Sequence, residues 1–202
     1  MAAGWLVVFW LATSDALQKS CSVRGGSLGP RLHPRSAVKE IATFEQSDFG
    51  ETWPYKDADF SRVDDSIDSN FYSQPRIVKH IDDGAISSLT SYYRQILTPG
   101  ADVLDICSSC ISHLPSPEEV QLGRVSAVGM NADELSLNKA LSDYQAKDLN
   151  LDPSLPFEDG SFDFVFNVVS VDYLTQPLAI FKEMNRVLRP GGTAAMSFSL
   201  TC

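Results

Sequence analysis

The sequence predicts an α/β fold in which a doubly wound parallel sheet is covered by helices on both faces. Three observations lead there. Short apolar runs recur at "ADVLDI", "RVSAVGM" and "FDFVFNVVS", each bounded by glycine or polar loops, as strands buried on both faces are. Stretches of helical period lie between and after them. With 202 residues, 44% of them hydrophobic, the chain can bury one sizeable core.

The elements follow in order. Pro75 opens a helical pattern in which Ile77, Ile81, Ala85, Leu89, Tyr92, Tyr93 and Ile96 recur three or four apart. Thr98, Pro99 and Gly100 end it. "ADVLDI" is the first strand of the sheet. In "LPSPEEVQL", Ser116 is placed to cap a short helix that begins near Pro117. "RVSAVGM" is the second strand and "NADELSLNKAL" a helix. A third strand is expected around residues 144–149, and "FDFVFNVVS" is the fourth. Thr175 is positioned to cap a helix with Pro177 in its first turn, whose buried face is Ile180, Phe181, Met184, Val187 and Leu188. Arg189, Pro190, Gly191 and Gly192 close that helix, and "TAAMSFS" begins a fifth strand.

The N-terminal region has a different composition. Residues 16–39 contain no Asp or Glu but hold Lys19, Arg24, Arg31, Arg35 and Lys39 among several serines, whereas the chain from Glu40 onward carries 25 acidic and 11 basic residues. A basic, Ser-rich, acid-free segment is the composition of an organelle transit peptide. The apolar run at residues 5–12 is too short to span a membrane, which needs about 20 residues, and has the length of a signal-peptide core. Ser14 and Ala16 form a candidate cleavage site. The order of the two segments resembles the bipartite leaders of plastids acquired by secondary endosymbiosis, with plain secretion as the alternative. The expected organisation is therefore a leader over residues 1–40, an irregular arm over 41–70 and a folded domain over 71–202. The arm is rich in Asp, Ser and aromatics, so part of it is expected to pack on the domain.

A formal net charge of −10 argues against a nucleic-acid backbone as the main partner. No run is long enough for stable membrane insertion by a helix.

The stretch "VLDICSSC" at residues 103–110 admits two readings. Cys107 and Cys110 form a CxxC at a strand end, a thioredoxin-like sign that would need a lowered thiol pKa. A zinc site would need two more ligands from His33, His80, His113, Cys21 or Cys202. Alternatively the stretch is a ligand-binding strand and loop, because parallel sheets bind ligands beyond the carboxyl ends of their strands.

Downstream residues favour the second reading. Leu155-Pro156-Phe157, Ser161-Phe162-Asp163, Glu183, Arg186-Val187-Leu188 and Pro190-Gly191-Gly192 together resemble the class I S-adenosylmethionine-dependent methyltransferases of the type-11 kind. Ser112-His113-Leu114-Pro115 and the upstream "FYSQPRIVKHIDDGAI" resemble an uncharacterised plastid and bacterial branch of them. The resemblance implies a Rossmann-like sheet with strand order 3-2-1-4-5-7-6. It implies S-adenosylmethionine as cofactor, a small-molecule methyl acceptor, and no metal. Because "TAAMSFS" is only the fifth strand, strands 6 and 7 are expected to be missing and the fifth to present an open edge suited to self-association.

The same resemblance implies site residues. Asp105, Cys107, Ser108 and Ser109 form the first cofactor motif, although Cys107, Ser109 and Ile111 stand where the family has glycines. Donors from residues 108–110 are expected to meet the methionine carboxylate. Asn131 replaces the usual ribose-binding acid, and Asp148 and Leu149 are expected at the adenine, with Asp152 as a rival. The loop after the fourth strand faces the methyl group in this family. It supplies Asn167 to the cofactor and two candidate catalytic groups, Asp172 as a base and Tyr173 as a substrate wall. A loop acid and a core aromatic are the plainer readings of those two. Two functions stay open: methyl transfer to a small molecule, or a non-catalytic binding module that retains the fold with degenerate cofactor motifs.

Overall fold

The computed structural model describes residues 7–13, 52, 54–62 and 66–199. Most of the leader, including Ser14 and Ala16, lies outside the described residues, as do Phe44, Phe49 and Trp53 of the arm.

The described strands are β1 (Val7–Thr13), β2 (Val103–Ile106), β3 (Val125–Gly129), β4 (Asp143–Ala146), β5 (Phe162–Val168) and β6 (Leu188–Ser199). The helices are α1 (Asp68–Phe71), α2 (Asp83–Ile96), α3 (Ala132–Ser136) and α4 (Pro177–Val187). One sheet runs in the order β1-β6-β5-β2-β3-β4. All neighbours are parallel except β1, which pairs antiparallel with β6. Five parallel strands with helices on both faces make a Rossmann-like, doubly wound sheet.

Two apolar layers sandwich the sheet. On one face α2 buries Ala85, Leu89, Tyr92 and Tyr93 against Val103, Phe164, Phe166 and Ala195. The Tyr93 and Phe166 rings stack with centroids 4.1 Å apart. On the other face α4 buries Ile180, Met184 and Val187 against Leu104, Ile106, Val165 and Met196. All residues of β2 and β3 are buried, as strands covered on both sides must be, whereas β4 is exposed along its length.

The amino ends of the strands are clasped by charge. Arg189 reaches Asp102 at 2.7 Å and Asp163 at 2.6 Å. Asp163 also accepts the Asp102 N–H, and Asp102 accepts the Arg124 N–H, both at 2.8 Å. Glu183 and Arg186 clamp a loop to α4. Glu183 accepts the Leu155 N–H at 2.7 Å, and Arg186 donates to the carbonyls of Leu155 and Phe157 at 2.9 and 2.8 Å. Arg186 also pairs with Glu183 and Asp159.

Several sequence expectations are corrected. The helix expected from Pro75 begins at Asp83, where the Asp82 carboxylate accepts the Ala85 N–H at 2.8 Å and caps it. Ile77 and Val78 are exposed, so their spacing reflects no buried face. The short helix near Pro117 is a single turn, in which Glu119 and Val120 donate to the Ser116 carbonyl. Thr175 does not cap α4; its N–H and hydroxyl both donate to Asn150 Oδ1, and Gln176 takes the cap position without a side-chain bond. Arg189 to Gly192 belong to β6, which passes an irregular register beside Phe162 and Phe164.

The outer edge of β6 is also not open. Val7 pairs with Ser199 and Thr13 with Thr193, so the apolar segment read as a leader core lies along the fifth parallel strand. Its apolar, β-branched residues suit a strand as well as a signal core. This pairing occupies the edge through which self-association was expected.

Packing should outweigh the clasp in stability. Leu89 is fully buried, so Leu89→Ala is expected to cost about 2–5 kcal/mol in urea unfolding. Arg189→Met, which removes partly solvated ion pairs, should cost no more than about 1 kcal/mol.

Candidate functional site

The carboxyl ends of β2, β3, β4 and β5 open on one rim of the sheet, and the candidate residues gather there. Cys107 follows β2 directly and adopts φ 56°, the conformation a glycine would take without strain. The turn holds because its other groups are tied. The Ser108 N–H donates to the Val128 carbonyl at 2.9 Å, and its hydroxyl donates to Asp105 Oδ2 at 2.6 Å. The Ser109 hydroxyl donates to Glu134 Oε2 at 2.6 Å. The close approach that glycine usually allows in the loop has moved to β3. A Cβ on Gly129 would lie 2.1 Å from the Ser108 carbonyl oxygen, so only glycine fits.

The sequence expected Ser108 to offer its N–H and hydroxyl to a ligand. Both are spent within the chain, as is the Ser109 hydroxyl. Among the described residues, no hydrogen bond engages the N–H groups of Ser109 and Cys110.

Asp105 is buried under the loop, and burial pushes its carboxyl up to about 6, with hydrogen bonds from Ser108 and Ser112 pulling the other way. Cys107 is half-buried beside it, and desolvation, then the Asp105 charge, push the thiol up to about 12. Cys107 and Cys110 are both free thiols. A thiol raised so far is the opposite of what a redox pair needs, so the CxxC reading loses its chemical basis.

Asn131 sits at the end of β3 as expected, but its amide oxygen is already engaged. Its Oδ1 caps α3 by accepting the N–H groups of Asp133 and Glu134 at 2.9 and 3.1 Å, and its Nδ2 donates to the Tyr72 carbonyl at 2.9 Å. In this arrangement the oxygen expected to accept from a ribose hydroxyl is occupied, and the second Nδ2 hydrogen is what is left for a ligand. Asp148 follows β4 and uses Oδ1 to accept the N–H groups of Asn150 and Leu151, making a tight turn at the rim. Leu149 is buried in the core on the α4 face rather than standing at the rim. Asp152 lies farther out, held by Lys147 and Ser154, whose hydrogen bonds lower its pKa to about 2.

Asn167, near the end of β5, has 0% exposure; neither its amide nitrogen nor its oxygen meets a partner in good hydrogen-bond geometry, and the Cys107 thiol is the polar group close enough to interact with it weakly. It pairs in register with Ile106 on one side and Met196 on the other, next to Cys107. A fully buried amide with both atoms unmet is costly in a closed core. Val169, just beyond it, holds φ 44°, an outlier for a β-branched residue. Asp172 and Tyr173 lie in the following 3-10 turn (Val171–Tyr173). Tyr173 is 64% exposed, which sets aside its reading as a core aromatic, and Asp172 is a solvated loop acid.

Sequence reasoning missed Glu134 and Tyr72. Glu134 was legible only as one acid in "NADELS", yet it is 2% exposed and bridges the cofactor loop to the upstream arm. Tyr72 lies close to Cys107, Glu134, Asp68 and Tyr173. A shallow cavity of about 450 Å³, lined by Lys79, Thr90, Cys110, His113 and Asn138, lies on the outer side of the same loop.

Residues 104–196 match the methyltransferase domain family model. The sterol 24-C-methyltransferase of Schizosaccharomyces pombe is 29% identical over 110 residues, 50% of this chain and 28% of that protein. The malonyl-[acyl-carrier protein] O-methyltransferase of a Marinomonas species is 42% identical over 43 residues, covering 21% of this chain and 16% of its own. The chain thus spans under a third of the length of these curated relatives. A Mesorhizobium loti S-adenosylmethionine-dependent methyltransferase structure covers 57% of this chain and 54% of its own, at 21% identity and a TM-score of 0.44.

Two measurements test the site's electrostatics. Because the folded pKa of Asp105 is raised, the folded state holds its proton more tightly than the unfolded state. The stability it lends is full below about pH 4 and is lost as pH rises through about 6. Asp105→Asn should flatten that part of the urea-unfolding pH profile, a difference on the order of 3 kcal/mol between variant and wild type at neutral pH. Alkylation of Cys107 by iodoacetamide at pH 8 should be far slower in the folded protein than in urea. Rapid labelling would restore the thiol chemistry.

Proposed function

We propose that this chain, whose residues 104–196 match a methyltransferase domain model, is a class I S-adenosylmethionine-dependent enzyme that moves a methyl group to a small-molecule acceptor. The buried, unmet amide of Asn167 carries the reading. It presents one donor and one acceptor at the strand ends where a parallel sheet binds its ligand. A bound polar ligand would satisfy both.

The residues present fit the cofactor. The free N–H groups of Ser109 and Cys110 suit a carboxylate, Asn167 suits an amino acid or ribose group, and Asp148 Oδ2 suits an amino donor. When bound, S-adenosylmethionine supplies an electrophilic methyl group on a sulfonium. The chain's part is to hold and aim, and to keep water out. The loop is immobilised by Val128, Asp105 and Glu134, and Gly129 lets it lie flat on the sheet. Tyr173 stands exposed at the rim, where an acceptor would enter, and Asp172 beside it is the group placed to take a proton from an acceptor that must lose one. By its name the matched sterol enzyme acts on a small organic acceptor, which supports a small-molecule substrate, whereas the malonyl enzyme acts on a group held by a carrier protein.

The second reading, a binding module without turnover, is favoured by Asn131, whose amide oxygen is spent inside the chain. Titration calorimetry with S-adenosylhomocysteine separates the two. Asn167→Ala should lower affinity about tenfold while leaving stability unchanged or raised by up to about 1 kcal/mol, because it deletes a buried group that lacks partners in the free protein. Tight binding without turnover on any acceptor panel would favour the module. Equal affinity in the variant would move the site away from β5.

A further inference from the structure

Residues 68–76 run across the rim of the site and are tied to it at three points. At one end the Asp68 carboxylate accepts from Asn150 Nδ2 at 2.9 Å and pairs with Arg62. In the middle the Tyr72 carbonyl accepts from Asn131 Nδ2 at 2.9 Å. At the far end the Arg76 N–H donates to Glu134 Oε1 at 2.7 Å. The Arg76 guanidinium also lies over the Phe71 ring at 3.8 Å, which stiffens the segment between the ties.

The partners of these ties are the residues at the ligand end of the sheet. Asn131 follows β3, Asn150 follows β4, and Glu134 opens α3. Asn150 also donates to the Tyr173 carbonyl at 3.0 Å, so the same residue anchors the turn after β5. The segment therefore spans the mouth from the β4 side to the loop after β2. Tyr72 sits half-buried within this span, its ring edge-on to Phe71 with centroids 5.0 Å apart. Burial raises its pKa, and Glu134, Cys107, Asp68 and Tyr173 are near enough to add to the rise.

Glu134 gives the arrangement its logic. A carboxylate at 2% exposure must be met by donors or it destabilises the fold. Its two oxygens are met by two different structures: Oε1 by the Arg76 N–H of the arm, Oε2 by the Ser109 hydroxyl of the loop. If the arm lifts, Oε1 loses its donor, and the surviving bond to Ser109 is the one left to rearrange. A group shared in this way makes the position of the arm and the seating of the loop interdependent.

We propose that residues 68–76 are a strap that closes the cofactor site, with Tyr72 as a wall against the bound cofactor and Glu134 as the positioning residue that couples strap closure to the seating of Ser109. This rests on the cofactor reading above and extends it to residues outside the matched domain region. The cofactor enters with the strap raised. Closure restores the Arg76 to Glu134 bond, returns Tyr72 to its place beside Cys107, and so seats the loop and shuts out water in one movement. The commitment of Asn131 then has a purpose: its Nδ2 holds the strap, and the wall that the strap provides replaces a ribose contact.

The test combines S-adenosylhomocysteine titration with hydrogen exchange of the amides of residues 70–77, on the full chain. In the wild type the ligand should slow exchange across the strap. Tyr72→Ala should weaken binding about tenfold, and Tyr72→Phe, which keeps the ring, should stay within about threefold. Glu134→Ala should speed exchange at the Arg76 amide and weaken binding by a similar factor. Glu134→Gln should recover both in large part, because its amide oxygen can still accept the Arg76 N–H while its nitrogen donates to Ser109 Oγ. Binding in Tyr72→Ala as tight as wild type or tighter would overturn the proposal. So would Glu134→Ala with a freed strap and unchanged affinity, which would make the segment a structural tie alone. Absence of binding in the folded wild type would instead remove the cofactor reading, and the strap's role with it.

Discussion

The register among β2, β5 and β6 is the constraint on which the remaining geometry depends. Ile106, Asn167 and Met196 stand side by side because the three strands are in step. A slip of one residue would send Asn167 to the wrong face and put its neighbours in its place. The apolar pattern enforces most of this, since alternate residues of β5 must meet α2 on one face and α4 on the other. Arg189 adds a pin from below, joining Asp102 before β2 to Asp163 in β5 from its own place in β6. Its worth lies less in energy than in the fact that only one alignment lets a single guanidinium reach both carboxylates.

Above that pinned base, the rim carries an unusual polar load for a buried place. Asp105, Glu134 and Asn167 are all enclosed. Asp105 and Glu134 are each satisfied by a serine of one loop, so the loop's side chains stabilise the floor while its backbone is left to face outward. This accounts for the loss of glycines from the motif. Serines gain partners beneath the loop that glycines would lack, and Gly129 supplies the clearance. The strain at Cys107 is what remains of the exchange.

The readability of these features from sequence followed their physics. Strands buried on both faces announce themselves as continuous apolar runs, and β2, β3 and β5 were found to within a residue or two. Helix beginnings were harder. Ile77 continued the period of α2 by chance, while the true signal was the side chain of Asp82, one acid in a run of two. Thr175 had the right chemistry for a cap but found a better acceptor in Asn150, twenty-five residues away, which no local rule can weigh. The positions of Asn131 and Asn167 were legible from the motif spacing. Whether each amide would be spent or spare was decided by the arm and by the packing of β5, both tertiary. Glu134 and Tyr72 were invisible for the same reason: what singles them out is partnership across more than twenty residues of chain.

The antiparallel seam between β1 and β6 has a bearing on how the molecule reaches this state. It joins Val7 to Ser199, so nearly the whole described chain must be in place before the two can meet. The thermodynamic cost of closing so long a loop grows only slowly with length, but the rate of such distant pairing is low. The inner strands can assemble first, from contacts much nearer in sequence. Until β1 arrives, the growing sheet carries a row of unpaired N–H and C=O groups along β6, a template for any extended segment that drifts past. The hazard at β6 is therefore one of timing: in the finished sheet β6 is paired on both sides and β1 takes the edge, so the window for misassembly on β6 is the interval between making it and recruiting β1.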